Sequence, residues 1–366
     1  MSDEIKAEQE SPEAFGGADD VLPGPRAEQG AAAAEIKNPL PKSKPGGLNW
    51  KTWLEATKSR PVQDAGASPR LGLGAWWQAS RPPFFIATFI PLGLGFTAAI
   101  KYGDQSRWGL FLLILVTCFA VHAATNLAND FFDHVQGIDA GPNIGGSRVI
   151  QEGKISPRAL LIALAVLYSL SLLSAIAIVK MSGRPVLWVL IIFAALSSFF
   201  YVAPPLKYGH RAMGELFVFV NMGLIMTGGC FLATAGFWDM RVLALALPVS
   251  FMVAGILYYQ SLPEIETDLA AGKRTLANVL GKKLAAFVFS LWWPLVWLLI
   301  ANLYFCGLAA WPALLSPLTA PLHIMAVKRI RAAGQGDWLP LDASGHLVRK
   351  LYFANGLILI ASVALR

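Results

Sequence analysis

Long apolar segments dominate the sequence after residue 83, and each is long enough to cross the roughly 30 Å hydrocarbon core of a bilayer. Inside a membrane every backbone polar group has to be hydrogen-bonded within the protein, so segments of this length are expected to fold as helices. Nine such segments are predicted, at 84–101, 109–131, 159–179, 186–203, 215–235, 242–262, 284–302, 304–326 and 347–365. The sequence therefore predicts an all-α integral membrane protein with about nine transmembrane helices.

The composition changes along the chain and divides it into two predicted regions. The sequence is 55% hydrophobic and only 14% charged, against about a quarter charged in an ordinary soluble domain. Residues 1–75 are predicted to be a disordered cytoplasmic tail, in which residues 48–58 form either a short interfacial helix or a solvated linker. Residues 76–366 are predicted to form one membrane domain. The net charge of +7 is attributed to basic loops beside an anionic leaflet, and no nucleic-acid partner is expected.

Basic residues beside the apolar segments predict the orientation of the chain. The loops after the second, fourth, sixth and eighth segments carry Arg148, Lys154, Arg158, Lys207, Arg211, Lys273, Arg274, Lys282, Lys283, Lys328, Arg329 and Arg331. The loops on the other side carry only Lys101, Arg107, Lys180, Arg184 and Arg241. The positive-inside rule therefore places the N-terminus and the first group of loops in the cytoplasm. We expect a multi-pass protein of a bacterial-type cytoplasmic (inner) membrane.

The end of the second apolar segment carries four polar side chains on one helical face. They are spaced at i, i+3, i+4 and i+7, and they are Asn126, Asn129, Asp130 and Asp133. His122 lies one turn earlier on the same face. Polar groups in an apolar span are expensive and are normally retained for a function. Because hard oxygen ligands without Cys or His suit Mg²⁺, we predict that Asn129, Asp130 and Asp133 contribute to a magnesium site.

A second acidic segment follows the sixth apolar segment. Glu264 and Asp268 are one helical turn apart and face the same way, whereas Glu266 points elsewhere. Both acidic segments are predicted to lie at the cytoplasmic mouth, where they could hold two or more Mg²⁺ ions bridged by a diphosphate. We therefore predict Asp130, Asp133, Glu264 and Asp268 as the catalytic carboxylates.

Basic residues in the same loops are candidates for binding the phosphate oxygens that the metal ions leave uncovered. Together with Asn126 and Asn129, the predicted substrate-binding residues are Arg148, Lys154, Lys207, Lys273 and Arg274. Positive-inside topology alone also explains each of these cations. Arg148, Lys207 and Lys273 are favoured because each lies close to an acidic segment or to a Pro-containing turn.

The two acidic segments, NLANDFFDHVQGID at 126–139 and EIETDLAAGKRTL at 264–276, resemble the paired signature motifs of the UbiA superfamily of intramembrane prenyltransferases. ASRPPFF at 79–85, GSRVIQEGKIS at 146–156 and YVAPPLKYG at 201–209 extend the resemblance over roughly 75–366. The sequences of these motifs are most similar to those of the MenA branch, which prenylates 1,4-dihydroxy-2-naphthoate. The family usually has Asp at the position of Glu264. The resemblance implies nine helices around a lipid-facing lateral cavity, with the active site under cytoplasmic loops.

The resemblance and the residues together predict Mg²⁺-dependent transfer of a polyprenyl group from its diphosphate to an aromatic acceptor. The predicted partners are the polyprenyl diphosphate, the acceptor and the lipid bilayer. 4-Hydroxybenzoate, homogentisate and other phenols stay open as alternatives to 1,4-dihydroxy-2-naphthoate. From other classes, a non-catalytic protein that binds prenyl diphosphate and an ion-coupled transporter also stay open. The acids cluster at one membrane face rather than at the midplane, which argues against transport.

Overall fold

The structure is a computed structural model that describes residues 72–103, 107–136 and 146–366. Within these ranges the regular structure is helical and no strand is formed, which confirms the all-α prediction. The predictions for residues 1–71 and for the Gly137-Ile-Asp139 part of the first motif lie outside the described residues. The division into a tail and a membrane domain therefore stays a prediction.

Helices account for most of the described chain. We number them α1 Leu73–Ser80, α2 Ile86–Gly103, α3 Trp108–Gln136, α4 Pro157–Ser182, α5 Leu187–Phe200, α6 Gly214–Ala235, α7 Arg241–Ser261, α8 Ile265–Ala270, α9 Leu276–Phe305, α10 Ala320–Ala333 and α11 Gly345–Ala364. Short 3₁₀ segments lie at Pro82–Phe84, Tyr208–His210, Trp311–Thr319 and Leu339–Ser344.

Seven helices in the described ranges are long and apolar enough to cross a membrane. The prediction for 186–203 corresponds to α5, which is apolar but has only 14 residues. The prediction of one span at 304–326 is wrong in detail, because this stretch is divided into the 3₁₀ segment Trp311–Thr319 and α10. Pro312 and Pro317 explain the division, since proline supplies no backbone donor to an α-helix. The count of about nine helices is thus approximate.

The core of the bundle is centred on α7, which packs against α6, α9 and α11. A π-helical stretch, Phe219–Ile225, interrupts α6 where that helix meets α7. At this point a Cβ atom on Gly223 would lie 1.9 Å from Ser250 Oγ. Only glycine therefore permits α6 and α7 to approach so closely at this point.

The loops after α3, α5 and α7 meet at one end of the bundle, which we call the mouth. The Arg274 N–H donates to the His210 carbonyl at 3.1 Å, and the Ala212 N–H donates to the Arg274 carbonyl at 2.8 Å. Beyond this pairing, Thr275 and Asn278 form a capping box that begins α9. The loop after α5 and the second acidic segment are thereby fixed to each other and to the start of α9.

Candidate active site

Asp130, near the end of α3, is buried and has both carboxylate oxygens hydrogen-bonded. Arg81 Nη2 lies 2.5 Å from Asp130 Oδ1, and the backbone N–H of Ser147 donates to the same oxygen at 2.9 Å. The Ser147 hydroxyl donates to Oδ2. Arg81 ends α1 in the left-handed conformation, with a φ of 53°, which is uncommon for a residue other than glycine. Asp130 therefore fastens both α1 and the segment after α3 to the mouth.

The two asparagines on the same face of α3 have different surroundings. Asn126 Nδ2 donates to the Ser80 carbonyl at 2.9 Å, so this side chain also supports the end of α1. Asn129 Oδ1 is buried and has no hydrogen-bond partner among the described residues. Because an unpaired buried polar atom costs free energy, Asn129 is the asparagine that would gain from a bound ligand.

Asp133 lies one turn beyond Asn129 and contacts a histidine from the loop after α5. His210 Nε2 is 3.2 Å from Asp133 Oδ1, and the two side chains are only 9% and 13% exposed. The described residues provide no partner with hydrogen-bond geometry for that oxygen. The backbone pairing of His210 with Arg274 holds the ring beside Asp133. Asp133 is thus positioned by a neighbour but not saturated by it.

The second acidic segment contains the most deeply buried carboxylate of the site. Asp268 is 1% exposed, and its Oδ1 lies 3.2 Å from Lys273 Nζ. Neither oxygen of Asp268 has a partner with hydrogen-bond geometry in the described part of the chain. Burial raises the pKa of Asp268, and Lys273 opposes that rise. Burying these unpaired oxygens costs free energy, and both oxygens of Asp268 are available to bind a ligand.

Glu264 and Glu266 have different surroundings in this segment. Burial raises the pKa of Glu264 to about 7, with Lys273 opposing the rise and Asp268 adding to it. Glu266 is exposed and pairs with Lys282, whose Nζ lies 2.7 Å from Oε1. Of the three acids in this segment, Glu264 and Asp268 therefore lie beside Lys273, whereas Glu266 is exposed.

Lys273 connects the two acidic segments electrostatically. Burial alone would lower the pKa of Lys273, but the carboxylates of Asp268, Asp133 and Glu264 together hold it well above its ordinary value. One ammonium thus serves three carboxylates from two separate parts of the chain. The excess of negative charge favours a bound cation at this position.

The other predicted basic residues are placed differently. Lys207 has a φ of 43° and donates from Nζ to Gln136 Oε1 at 2.6 Å, at the end of α3. Burial and the nearby Arg211 lower the pKa of Lys207. Lys154 pairs with Glu152 at 2.6 Å and donates to Gln78 at 2.8 Å. These partners occupy its ammonium outside the carboxylate cluster.

Arg148 and Arg274 differ in exposure and in backbone conformation. Arg148 is half-buried and has a φ of 59°, directly after the serine that contacts Asp130. Arg274 has an exposed side chain, while its backbone pairs with the loop after α5. The structure therefore brings Asp133, Glu264, Asp268 and Lys273 together most directly, and Asn129 lies one turn before Asp133 on the same helix.

Three side chains that position the predicted residues were missed in the sequence. Arg81 and Ser147 contact Asp130, and His210 contacts Asp133. Each lies in or beside a segment that carries the family resemblance, at 79–85, 146–156 and 201–209. Their location in or beside these segments is the feature of the sequence that indicates a role in the site, because none of the three is near the acidic residues in sequence.

No group of three or more His, Cys, Asp or Glu side chains within 72–103, 107–136 and 146–366 is arranged to enclose a metal ion. The acids instead lie around the mouth, where Asp133 Oδ1 and both oxygens of Asp268 are buried without a hydrogen bond to the described residues. Mg²⁺ is commonly bound by one or two carboxylates together with water and substrate phosphates. The arrangement therefore has the ligands of a site that substrate completes.

Comparison with known proteins decides the family. A model of the UbiA prenyltransferase family matches residues 88–340, which covers every helix from α3 to α10 and both acidic segments. The chain belongs to the UbiA prenyltransferase family. It is accordingly a multi-pass membrane protein and a prenyltransferase.

Curated relatives agree with this assignment, and solved structures show a similar fold. The chain is 32% identical over 219 residues to 1,4-dihydroxy-2-naphthoate octaprenyltransferase of Haemophilus influenzae, covering 57% of this chain and 70% of the relative. It is 27% identical to 2-carboxy-1,4-naphthoquinone phytyltransferase of Synechocystis, covering 83% and 97%. The fold is similar to a UbiA homolog from Archaeoglobus fulgidus solved with GPP and Mg²⁺, with a TM-score of 0.54, 19% identity and coverage of 78% and 99%.

Proposed function

We propose that the protein transfers a polyprenyl group from its diphosphate to 1,4-dihydroxy-2-naphthoate, in a Mg²⁺-dependent reaction of menaquinone biosynthesis. The carrying observation is the cluster of incompletely paired carboxylates around Lys273 at the mouth of the bundle. One relative is named for 1,4-dihydroxy-2-naphthoate and the other for 2-carboxy-1,4-naphthoquinone, and both names support an acceptor with this two-ring skeleton. Since one relative is named for an octaprenyl group and the other for a phytyl group, they support no single chain length.

The residues present fit Mg²⁺. Asn129 Oδ1 and both oxygens of Asp268 are buried oxygen ligands that lack hydrogen bonds within the described chain. Together with Asp133 and Glu264, these residues would hold the metal. When bound, Mg²⁺ would neutralise the charge of the leaving diphosphate. Asp130 acts differently in this proposal, because it positions Arg81 and Ser147 at the edge of the same site.

Cationic side chains would bind the diphosphate oxygens and orient the reacting carbon. Lys273 lies inside the carboxylate cluster. Lys207, in the loop after α5, contacts Gln136 at the end of α3. As the bond between the first prenyl carbon and the diphosphate oxygen breaks, its electron pair leaves with the diphosphate, and a ring carbon of the acceptor forms the new bond. That ring carbon then releases the group it carried, as a proton or, where it bears the carboxylate, as CO₂, and the ring becomes aromatic again. Fixed positive charge near the leaving oxygens stabilises this separation. The prenyl chain would lie among apolar helices, which exclude water from the allylic cation.

The proposed function is tested by turnover of the purified protein in liposomes. Farnesyl and geranylgeranyl diphosphates are paired with 1,4-dihydroxy-2-naphthoate, 4-hydroxybenzoate or homogentisate, with Mg²⁺ or with EDTA. We expect Mg²⁺-dependent prenylation of the naphthoate, lost in Asp133→Asn. Asp239→Asn is the matched control, because Asp239 is paired with Arg241 in the turn before α7, at the other end of that helix from the site.

Each outcome of this assay assigns the function differently. Preferential prenylation of another phenol would overturn the proposed acceptor but keep the prenyl-transfer chemistry. Binding of prenyl diphosphate without any product would favour the non-catalytic alternative. Turnover that persists in EDTA would contradict the proposed metal dependence.

We also propose that the mouth faces the cytoplasm of a bacterial-type inner membrane, as the positive-inside rule indicates. Cys306 provides a test, because it is exposed directly after α9 and therefore at the end of that helix remote from the mouth. Cys118 is half-buried and Cys230 is buried. A membrane-impermeant maleimide applied to the outer side of intact inner membranes should label Cys306. Labelling only from the cytoplasmic side would reverse the proposed orientation.

A further inference from the structure

His122 is a polar side chain of α3 that the reaction as proposed so far does not use. It precedes Asn129 by seven residues and Asp133 by eleven, so all three lie on nearly the same line along the helix. At 1.5 Å per residue, His122 is about 10 Å deeper in the bundle than Asn129. It therefore lies on the site face of α3, below the carboxylates.

The histidine ring is held by one of its two nitrogens. His122 Nδ1 lies 2.7 Å from the hydroxyl of Thr88, which is fully buried in the first turn of α2. In the described structure no hydrogen bond reaches Nε2, and Nε2 is not among the fully buried atoms that lack a partner. Thr88 therefore fixes the ring plane and leaves Nε2 without a hydrogen bond to the described residues, on a side chain that is only half-buried.

Two phenylalanines extend the histidine into an aromatic surface. The Phe85 ring lies 5.2 Å from the His122 ring, and it is stacked on Phe119 at 5.2 Å with an interplanar angle of 17°. All three side chains are half-buried, so the surface is not closed by protein packing. Aromatic faces of this kind bind flat aromatic ligands by stacking.

We infer that His122 Nε2 hydrogen-bonds a ring hydroxyl of the aromatic acceptor, with Phe85 and Phe119 against the acceptor ring. This inference rests on the proposed function and identifies the residue that recognises its acceptor. A hydroxyl both donates and accepts, so it suits either tautomer of a histidine whose Nδ1 is bound to a threonine hydroxyl. A diphosphate held by Asn129 and the carboxylates would lie too far up the helix to reach Nε2.

The depth of His122 matches the size of the acceptor. The reacting ring carbon has to lie about 3–3.5 Å from the first prenyl carbon, which itself adjoins the diphosphate at the mouth. The far hydroxyl of a dihydroxynaphthalene then extends several ångströms deeper. An isoprenoid chain at the same position would leave Nε2 without a partner, at the cost of an unpaired polar atom.

A purely structural role is the competing explanation, since hydrogen bonds such as that between Thr88 and His122 also join membrane helices. That role needs only Nδ1 and makes no distinction between acceptors. The test therefore measures discrimination. Inhibition constants are measured for 1-hydroxy-2-naphthoate and 4-hydroxy-2-naphthoate, each of which lacks one hydroxyl. They are compared with the Michaelis constant for the dihydroxynaphthoate acceptor that carries both.

In the unaltered protein, loss of the hydroxyl that contacts Nε2 should weaken binding about tenfold, the value of one hydrogen bond. His122→Phe keeps an aromatic ring beside Phe85 and should abolish that discrimination, with the Michaelis constant for prenyl diphosphate changed less than about twofold. His122→Gln should retain part of it. Thr88→Val keeps the imidazole but removes its anchor, and it should reduce the discrimination without abolishing it.

Retention of full discrimination in His122→Phe would overturn the inference, as would a loss confined to the Michaelis constant for prenyl diphosphate. If His122→Phe fails to fold in a thermal melt, the same comparison is decided by His122→Gln and Thr88→Val. Failure of the proposed function is distinguishable, because it would appear as an absence of naphthoate turnover in the unaltered protein. Normal turnover with unchanged discrimination in every variant would remove only the role of His122.

Discussion

Asp130 on α3 and Asp268 on α8 are both almost completely buried at the mouth, but their carboxylates have opposite surroundings. Asp130 has an arginine, a backbone N–H and a hydroxyl as partners. Asp268 has one lysine at 3.2 Å and no partner with hydrogen-bond geometry in the described chain. A saturated carboxylate stabilises the structure, whereas an unsaturated one gains most from a ligand.

The same contrast separates two aspartates that are only three residues apart in α3. Asp130 fixes α1 and the segment after α3, while Asp133 has His210 at 3.2 Å and a buried oxygen that lacks a hydrogen bond to the described residues. Spacing along one helical face therefore does not give the two residues one role. The comparison predicts that loss of Asp268 affects turnover first, and that loss of Asp130 affects stability first.

The largest expected effect is that of Asp268→Asn on turnover. The change keeps the shape of the side chain but removes its charge, so we expect Mg²⁺-dependent turnover to fall on the order of a hundredfold or more. The melting temperature of the metal-free protein should change little, because the variant no longer buries an incompletely paired charge and Lys273 keeps Asp133 and Glu264 nearby. Turnover assays and thermal melts of the same preparation measure both quantities.

The matched control for Asp268→Asn is Glu266→Gln in the same helix. Glu266 is exposed and paired with Lys282, so its loss should change turnover by less than about twofold. If Asp268→Asn retained normal turnover and normal Mg²⁺ dependence, the proposed role of Asp268 in turnover would be wrong.

Asp130→Asn should mainly reduce stability. The substitution removes the carboxylate charge that pairs with Arg81, whose side chain is 20% exposed. Removing one member of a buried ion pair costs about 3–5 kcal/mol, and the partial exposure of Arg81 reduces the expected loss to about 2–3 kcal/mol. Thermal melts in detergent should show a clear decrease, while the apparent affinity for Mg²⁺ of the remaining folded protein stays near normal. A large loss of Mg²⁺ affinity with unchanged stability would reverse the assignment of roles.

A smaller effect is expected in the pH dependence of metal-free stability. Burial raises the pKa of Glu264 from its ordinary 4.5 to about 7, so the folded protein holds this proton more tightly than the unfolded chain. As the pH rises from about 4.5 to about 7, the free energy of unfolding of the metal-free protein should therefore decrease. The expected decrease is about 1–2 kcal/mol, because Glu264 is only half-buried.

Glu264→Gln provides the control for that slope. The variant should lose most of the decrease, and a residual slope is expected from Asp268, whose pKa burial also raises. Saturating Mg²⁺ should reverse the trend in the unaltered protein, because metal ligands have to be deprotonated. Melting curves at several pH values, with EDTA or Mg²⁺, measure these slopes. An identical slope in Glu264→Gln would mean that another group titrates.

The helices and the meeting of the two acidic segments could be predicted from sequence because both depend on local patterns. Apolar length indicates a helix, and charge asymmetry places alternate loops on one side. The division of 304–326 was also signalled, by Pro312 and Pro317.

The contacts of individual aspartates depend on tertiary packing and had no local signal. Arg81 reaches Asp130 across 49 residues of sequence, and His210 reaches Asp133 only because the loop after α5 pairs with Arg274. Helical spacing therefore predicts a shared polar face, but it does not distinguish Asp130, whose oxygens are hydrogen-bonded, from Asp133, which has an unpaired oxygen.

Lys154 should give the smallest effect, although the sequence placed it among the substrate-binding residues. Its ammonium is paired with Glu152 and Gln78, and its side chain is 43% exposed. An exposed pair contributes about 0–1 kcal/mol, so Lys154→Ala should change turnover and melting temperature only slightly. Lys273→Ala, which removes the cation from the carboxylate cluster, is the comparison and should reduce turnover far more than Lys154→Ala does. A large rise in the Michaelis constant for prenyl diphosphate in Lys154→Ala would show that Lys154 leaves Glu152 when substrate binds, and that the mouth closes over the diphosphate.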